Sequence, residues 1–431
     1  MDVLKAIVFF MIILGYQSLP AAQNDFSVLD ASKYRKTMQH ARNGISGFLQ
    51  EHARISDINK RIVLIAAALQ DIPYSNKETI GEGDWMATHS TYRASALHLQ
   101  QSPLYRLDYF DCQSFVQTAM ALLFAHDLAS FDQHYLKISY GAAGLKQNIV
   151  HFYNRNHFVE ADFNPLNRQQ GYLKNSTDQL GEVQNLTVTI NRKLWMQSKL
   201  EDLEHTIKVL NKKDGPAMVK RFSTLYQHLT FPRLANTSVT IDYLPTWQWV
   251  QRSNQGHFFI KEAILKNMPT PALVEIVVDS NKWLIGRKKI QDVIGTKLAI
   301  AHVGLLYRTQ FKRGEEIYKK INCSYNREDE SECQVQSIIC RASFCNELMF
   351  VHATRSYPNH YYWYELEGKT YCKASLPKGV QTHRTCNRVE TIPFQEYITN
   401  QQYGMYWYLS NPAILGIHVE KITSPSAPSS V

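Results

Sequence analysis

The chain has 431 residues, of which 44% are hydrophobic, 12% aromatic and 20% charged. A chain of this composition can bury a sizeable core, which excludes the disordered, collagen-like and coiled-coil classes. The formal net charge of +9 is spread along the chain without a run of five basic residues. It therefore supports only long-range attraction to an acidic polymer, and it does not choose between nucleic acid and bacterial cell wall.

Residues 1–22 have the pattern of a signal peptide. Lys5 precedes an apolar run at residues 6–16, and small residues follow as far as Ala22. The run is about eleven residues long, too short for the roughly 20 that cross a bilayer. We expect cleavage near Ala22 and a periplasmic or secreted protein with no integral membrane segment after cleavage. An uncleaved amphipathic anchor is the alternative.

The seven cysteines divide into one isolated residue and a C-terminal cluster. Cys112 stands alone, and the other six lie between residues 323 and 386. An even cluster in an exported protein predicts three disulfides, whereas an isolated cysteine is a candidate reactive thiol. Zinc is the weaker alternative, because the cluster contains no C-x-x-C pair. The clustered residues are Cys323, Cys333, Cys340, Cys345, Cys372 and Cys386.

The N-terminal part of the chain predicts a partly helical lead-in and one apolar helix before the isolated cysteine. Residues 23–60 form a polar, partly helical lead-in, and an apolar helix follows from Ile62 to Leu69. Pro73 cannot continue that helix, so Tyr74 is expected at a loop position. Residues 75–105 are rich in loop-forming residues.

A buried helix is predicted for residues 111–124, which carry apolar side chains at helical spacing. Asp111 is its expected N-cap, which places Cys112 in the first turn. Residues 190–230 predict a mainly helical insertion, broken at Gly215-Pro216.

From about residue 238 the pattern changes to short strands with the alternation of a half-buried antiparallel sheet. Alternation places His302 on one face with Ile300, Gly304 and Leu306, and it groups His352 with Leu348 and Phe350. If these two strands pair, the histidines lie side by side. A single histidine in a strand is more often a core residue than a catalyst. The predicted strands are residues 239–243, 272–278, 298–307, 348–353 and 417–422.

Cys112 and the two histidines together predict acyl-transfer chemistry. The first turn of a helix carries partial positive charge that lowers the pKa of a cysteine, so we expect a thiolate-rich Cys112. His302 can take the thiol proton and His352 can orient the ring of His302. Backbone N–H groups at the helix start, with Tyr74 as a second donor, can stabilise the oxyanion. The structural alternative for Cys112 is a small buried hydrophobic residue.

These residues lie in segments that resemble the NlpC-type papain-like cell-wall hydrolases, and more narrowly the N-acetylmuramoyl-L-alanine amidase-like subfamily. The resemblance extends from about residue 60 to residue 422. The matching segments are Ile72-Pro73-Tyr74, Asp111-Cys112-Gln113-Ser114-Phe115-Val116, Arg155-Asn156-His157-Phe158, Tyr243-Leu244-Pro245, His302-Val303-Gly304, Val351-His352-Ala353 and Gly416-Ile417-His418-Val419.

The resemblance implies an α+β, papain-like cysteine peptidase fold, in which the nucleophile helix packs on an antiparallel sheet and carries helical and disulfide-rich insertions. It implies that Cys112 is the nucleophile, His302 the base and His352 the orienting residue, with Tyr74 beside the oxyanion. We expect a catalytic domain at residues 61–422, followed by a disordered tail at residues 423–431. The implied substrate is a muropeptide cut between N-acetylmuramic acid and L-alanine, and we expect no cofactor or metal and no nucleic-acid partner.

Arg155 and His157 match a motif placed in the substrate groove, with a structural hydrogen-bonding pair as the alternative. Two features depart from the subfamily. Phe158 replaces its usual tyrosine, and residues 308–347 form a long cysteine-rich insertion between the two histidine strands. This insertion can roof the cleft or bind a partner.

Two other functions fit the same sequence. One is a stem-peptide endopeptidase of the same fold, which cuts between D-glutamate and the diamino acid. The other is a non-catalytic wall-binding or interaction protein that keeps the fold.

Overall fold

The computed structural model describes residues 31–74, 104–147, 155–195, 197–198, 235–285, 288–324, 332–354, 362–366, 369–373, 388–399 and 413–425. The predicted signal peptide and most of the predicted helical insertion lie outside these residues. Helical backbone at residues 192–195 and 197–198 occupies the start of that insertion. Within the described residues, no helix combines the length and apolarity needed to cross a membrane.

The strands of the described residues all pair in antiparallel fashion with their sheet neighbours, as the alternating sequence pattern predicts. They are β1 Leu173–Asn175, β2 Gln184–Ile190, β3 Thr237–Pro245, β4 Val250–Arg252, β5 Phe258–Ile260, β6 Ala272–Val278, β7 Leu284–Ile285, β8 Lys288–Lys289, β9 Ile300–Lys312, β10 Glu316–Ser324, β11 Glu332–Ile339, β12 Phe344–Thr354, β13 Tyr362–Leu366, β14 Lys369–Lys373, β15 Arg388–Pro393 and β16 Ile414–Ile422.

The main sheet has eight strands in the order β15-β12-β9-β6-β16-β3-β2, and β1 pairs with β16. The strands β4–β5, β7–β8, β10–β11 and β13–β14 form separate two-stranded sheets. The predicted strand at residues 272–278 coincides with β6. Strands β9 and β12 extend further than predicted, because they continue pairing as far as Lys312 and Phe344.

Helices cover both faces of this sheet, which gives an α+β fold. They are α1 Ala31–His52, α2 Ile58–Leu69, α3 Cys112–Phe124, α4 Leu128–Gln147, α5 Asn164–Gln169, α6 Thr246–Trp249, α7 Glu262–Asn267, α8 Ile290–Ile294 and α9 Phe394–Thr399, with a π-helical turn at Val159–Phe163 and a 3₁₀ turn at Thr177–Gln179.

Two apolar clusters lie on the opposite faces of the sheet. Helices α1 to α4 pack on one face, where Phe115 and Val116 meet Val303 and Val351 in the first cluster. The short helices α6, α7 and α9 pack on the other face in the second cluster, which contains Phe350. Burial of apolar surface, which contributes about 25 cal/mol per Å², drives the formation of both clusters.

The predicted lead-in is part of the main core. Helix α1 buries Ala41, Ile45 and Leu49 in the first cluster at helical spacing. Helix α2 begins earlier than predicted, at Ile58, because the carboxylate of Asp57 caps it by accepting the backbone N–H of residue 59 at 2.9 Å.

The cysteine-rich insertion contains the β10–β11 hairpin between the extended strands β9 and β12. Cys323 and Cys333 lie opposite each other in the register of this hairpin. A disulfide joins Cys340 to Cys345 just before and within β12. One bridge of the predicted framework is therefore present in the described residues, and Cys386 lies outside them.

A β-bulge changes the side-chain pattern at the start of β9. The register between β6 and β9 shifts at Ala301, since His302 pairs with Ile276 while Ile300 pairs with Val277. The extra residue sends Ile300 into the first cluster, away from the face that holds His302. The prediction that Ile300 and His302 share a face was therefore wrong, because strict alternation does not hold across a bulge.

Candidate active site

Cys112 is the first residue of helix α3, and Asp111 caps the helix as predicted. The Asp111 carboxylate accepts the backbone N–H of Ser114 at 2.6 Å, and the Ser114 hydroxyl accepts the backbone N–H of Asp111 at 3.0 Å. This reciprocal capping box fixes the direction in which the first turn leaves the preceding chain. The cysteine side chain therefore has a defined position at the positive end of the helix.

Backbone N–H groups of Cys112, Gln113 and Val303 face the thiol sulfur and favour its ionised form. Burial outweighs them, and together with the negative charge of Asp111 it raises the pKa of the Cys112 thiol to about 12. The expectation of a lowered pKa was wrong for this state of the protein. The residue that caps the helix also places a negative charge beside the sulfur, which disfavours the thiolate.

His302 and His352 meet as the strand pattern predicts. His302 Nε2 and His352 Nδ1 are 2.8 Å apart, and the ring centroids are 5.0 Å apart. Both rings contact Phe350 and Tyr397 of the second cluster. The hydrogen bond occupies Nε2 of His302 and leaves Nδ1 as the ring nitrogen that can exchange a proton with a reacting group.

Cys112 and the histidines approach from opposite faces of the sheet. Helix α3 belongs to the first cluster, whereas the two rings contact side chains of the second. His352 lies one residue beyond Val351, whose pairing with Leu305 is the last of the β9–β12 ladder. Val303, whose N–H faces the sulfur, directly follows His302. The candidate base therefore precedes, by one residue in β9, the backbone N–H that faces the thiol.

Gly304 permits this close approach of β9 and β12. A Cβ at this position would lie 2.6 Å from Cε2 of Phe350 and 2.8 Å from Cβ of His352, shorter than real contacts allow. The His-Val-Gly segment therefore combines the candidate base with the one residue type that lets His352 come close to it.

Burial lowers the pKa of His302 well below its usual value, and the neighbouring His352 adds to the effect. His302 is therefore a neutral imidazole at neutral pH. Since the Cys112 thiol is protonated under the same conditions, the resting pair is a thiol and a neutral base. Proton transfer has to accompany attack on a substrate, as in general base catalysis.

The sequence interpretation missed Glu390 of β15. It lies directly opposite His352 in the β12–β15 register, and its Oε1 is 3.5 Å from His352 Nε2. His352 is fully buried and Glu390 is 7% exposed. A charged residue within the short pattern Val389-Glu390-Thr391 is a weak signal, because only the strand register shows which residue it faces.

Tyr74 lies beside the segment that leads into helix α3. It forms an isolated parallel bridge with Phe110, and the Phe110 N–H donates to the Pro73 carbonyl at 2.9 Å. Phe110 precedes Cys112 by two residues. Tyr74 is partly buried against the first cluster. The Ile-Pro-Tyr segment is thus attached to the chain immediately before the candidate nucleophile.

Arg155 is buried, and its guanidinium donates to Oε1 of Gln117 in helix α3 at 2.8 Å. Gln113, one turn earlier, donates to the backbone carbonyl of Asn156. These contacts attach the Arg-Asn-His-Phe segment to the first turns of the nucleophile helix. The half-buried ring of His157 packs on Trp195, with 4.6 Å between centroids.

The two remaining matching segments, Tyr243-Leu244-Pro245 and Gly416-Ile417-His418-Val419, lie on the neighbouring strands β3 and β16. Gly416 of β16 lies against Leu244 and Pro245 of β3, and a Cβ at Gly416 would collide with the Leu244 carbonyl. His418 is buried and contacts Glu420 Oε1 through Nε2 at 2.9 Å. Among the described residues, no group of three or more His, Cys, Asp or Glu side chains is placed to hold a metal ion.

Comparisons with known proteins agree with the fold. The structure of protein LPG0564 from Legionella pneumophila str. Philadelphia 1 is similar to this chain with a TM-score of 0.56 at 19% identity, covering 91% of this chain and 97% of that one. This likeness shows a shared fold. An N-acetylmuramoyl-L-alanine amidase from Bacteroides uniformis matches at a TM-score of 0.39 and 13% identity, over 86% of this chain and all of that one.

No curated protein matches the sequence at a significant level. The family model described as AmiA-like, N-acetylmuramoyl-L-alanine amidase-like, matches residues 87–330, which is more than half of the 431 residues. This range contains Cys112 and His302 and ends before His352. The chain belongs to the AmiA-like, N-acetylmuramoyl-L-alanine amidase-like family.

Proposed function

We propose that the protein is an exported cysteine amidase of papain-like type that hydrolyses the amide bond between N-acetylmuramic acid and L-alanine in peptidoglycan fragments. One observation carries the proposal. Cys112 begins a capped helix with its sulfur against the N–H of Val303, and the adjacent His302 is hydrogen-bonded to His352. A cysteine, a base and an orienting residue are the groups that nucleophilic amide cleavage requires.

In the proposed acylation step, Nδ1 of His302 takes the thiol proton as the Cys112 sulfur attacks the lactyl carbonyl carbon of the muramic acid. The carbonyl oxygen becomes an oxyanion, which the N–H groups at the start of the helix can stabilise, with Tyr74 as a further donor. Collapse of the tetrahedral intermediate breaks the C–N bond. The amine of L-alanine leaves with the proton that His302 had accepted, and a thioester remains on Cys112.

Water completes the cycle. His302 takes a proton from water, the hydroxide attacks the thioester carbonyl, and the proton returns to the sulfur of Cys112 as the sugar acid leaves. A neutral His302 suits both half-reactions, because each begins with proton removal. His352 keeps the ring of His302 in the orientation that points Nδ1 at the reacting atoms.

Family membership supports the substrate class, and the net charge of +9 is compatible with a substrate that carries peptide carboxylates. The pattern of residues 1–22 supports export to the periplasm or the medium. N-terminal sequencing of the protein from a fractionated culture tests export. An N-terminus near residue 23 is the expected result, and an intact Met1 in the cytoplasmic fraction would contradict it.

The function is tested by incubating the purified protein with a disaccharide peptide from peptidoglycan and analysing the products by mass spectrometry. We expect a free sugar and a peptide with a new L-alanine amino terminus. Cys112→Ala should remove this turnover, since nothing else supplies the attacking sulfur. His257→Ala is the matched control for histidine variants, because His257 is exposed on the turn between β4 and β5.

Two outcomes would select the other functions. A new amino terminus on the diamino acid would make the enzyme a stem-peptide endopeptidase. If neither product forms but the protein binds the muropeptide, it is a wall-binding protein that keeps the fold. Turnover that persists in Cys112→Ala would contradict cysteine catalysis altogether.

A further inference from the structure

Glu390 has a position relative to His352 that the proposed reaction does not yet use. The two residues are direct cross-strand partners on β15 and β12, so their side chains project from the same face of the sheet. Glu390 Oε1 lies 3.5 Å from His352 Nε2. That nitrogen is buried, and among the described residues it has no hydrogen-bond partner closer than this carboxylate.

The direction of the hydrogen bonds follows from the chemistry at Cys112. To accept the thiol proton, Nδ1 of His302 must carry no hydrogen, so in the neutral ring the hydrogen is on Nε2. That Nε2–H then donates to Nδ1 of His352 across the observed 2.8 Å. Nδ1 of His352 must accept this hydrogen bond, so the ring hydrogen of His352 is on Nε2.

This assignment leaves a buried N–H on His352 that needs an acceptor, because an unsatisfied buried donor destabilises the folded protein. The carboxylate of Glu390 is the acceptor that faces it. The opposite tautomer of His352 would donate from Nδ1 to His302 Nε2. His302 would then carry its hydrogen on Nδ1, where it could not take the thiol proton.

We propose that Glu390 is a positioning residue whose carboxylate accepts the Nε2–H of His352 and thereby sets the tautomers of both histidines. The proposal rests on the cysteine-hydrolase function proposed above. Glu390 touches neither the substrate nor the sulfur and gains no proton during the reaction. When His302 becomes imidazolium, the carboxylate stabilises that charge through the intervening His352 ring.

The surroundings hold this arrangement in place. Phe350 and Tyr397 each lie 4.7 Å from the His352 ring, measured between centroids, and both are buried. The imidazole cannot turn freely between these rings, so its Nε2 keeps facing the carboxylate. A shift of a few tenths of an ångström brings Nε2 and Oε1 to ordinary hydrogen-bond length. Catalytic hydrogen bonds are often long in the absence of substrate.

The experiment combines nitrogen NMR of the histidine rings with steady-state kinetics on the disaccharide peptide. In the wild-type protein, we expect the ring nitrogens of His302 and His352 both to show the Nε2–H tautomer. Glu390→Leu, which keeps the bulk and removes the acceptor, should lower kcat about 10- to 100-fold with KM changed less than threefold. Glu390→Gln keeps an uncharged acceptor, so its kcat should lie between those of the wild-type protein and Glu390→Leu.

Glu347→Gln is the matched control, since Glu347 is a half-buried glutamate of β12 that lies five residues from His352. It should leave kcat and the ring tautomers unchanged. An Nδ1–H tautomer of His352 in the wild-type protein would overturn the proposal, even if every variant failed to fold. So would a folded Glu390→Leu enzyme with wild-type kcat. If Cys112→Ala is inactive in the same assay, a Glu390→Leu enzyme with wild-type kcat refutes the role of Glu390 and leaves the cysteine mechanism intact. The Nδ1–H tautomer of His352 would refute the role of Glu390 and that of His302 Nδ1 as the base, and would leave only Cys112 as the nucleophile.

Discussion

Replacing Gly304 with alanine adds one methyl group at a close contact between β9 and β12. The new Cβ would lie 2.8 Å from Cβ of His352 and 2.6 Å from Cε2 of Phe350. A Cβ atom moves only with its backbone, so His352 cannot make room by changing rotamer. We expect β12 to shift away from β9 and the 2.8 Å bond between the histidines to lengthen.

The magnitude follows from three contributions. Overpacking of a filled core costs about 1–3 kcal/mol. Loss of the bond between the histidines costs about 1 kcal/mol. The lower entropy of the unfolded alanine chain returns about 0.4–1 kcal/mol. We expect the free energy of unfolding to fall by about 1–3 kcal/mol and kcat to fall about 100-fold, because a displacement of about 1 Å has that effect on a reacting group.

Denaturant unfolding and hydrolysis of the disaccharide peptide measure the two effects. Gly47→Ala is the matched control, because Gly47 is in the interior of helix α1 and a Cβ there has no heavy atom within 4 Å. It should stabilise the protein by about 1 kcal/mol and leave kcat unchanged. A Gly304→Ala protein with wild-type stability and kcat would refute the argument that this glycine sets the histidine geometry.

Other predictions concern the reacting groups and the cysteines. Cys112→Ala should abolish hydrolysis, and His302→Ala should reduce kcat nearly as much. His352→Ala should reduce kcat less, because an orienting residue transfers no proton. If His352→Ala reduced kcat more than His302→Ala, the roles of the two histidines would have to be exchanged. Because the pKa of His302 is lowered, kcat/KM should stay constant from neutral pH down to well below pH 6.5 and fall only as the imidazole becomes protonated. A profile in which kcat/KM has fallen to half its maximum at pH 6.5 or higher would contradict this expectation. The pKa of the Cys112 thiol is raised to about 12. The rate of its alkylation by iodoacetamide should therefore keep rising with pH beyond the pKa of roughly 8.5 of an ordinary cysteine. A rate that levels off below that pH would indicate a thiolate in the resting enzyme. A thiol count on the unfolded, unreduced chain should give one; a count of three or more would mean that bridges besides Cys340–Cys345 are missing, and a count of zero would place Cys112 in a bridge.

Much of the secondary structure was predictable because it depends on neighbours close in sequence. Helix α3 follows from apolar residues at helical spacing and from a cap that Asp111 and Ser114 complete within three residues. Strand β6 follows from six apolar residues in a run of seven that only Glu275 interrupts. Predicted ends were less accurate at β9 and β12, since their extension depends on pairing with each other.

The candidate site likewise has features that the sequence predicted and features that depend on the tertiary structure. The sequence by itself determined a solitary cysteine at a helix start and two histidines in strands, because spacing and residue type express these features directly. Only the tertiary structure decided that Glu390 faces His352, that Ile300 leaves the face of His302, and that the pKa of Cys112 is raised. Strand register, a bulge and burial are contacts between residues far apart in the chain, so no local pattern specifies them.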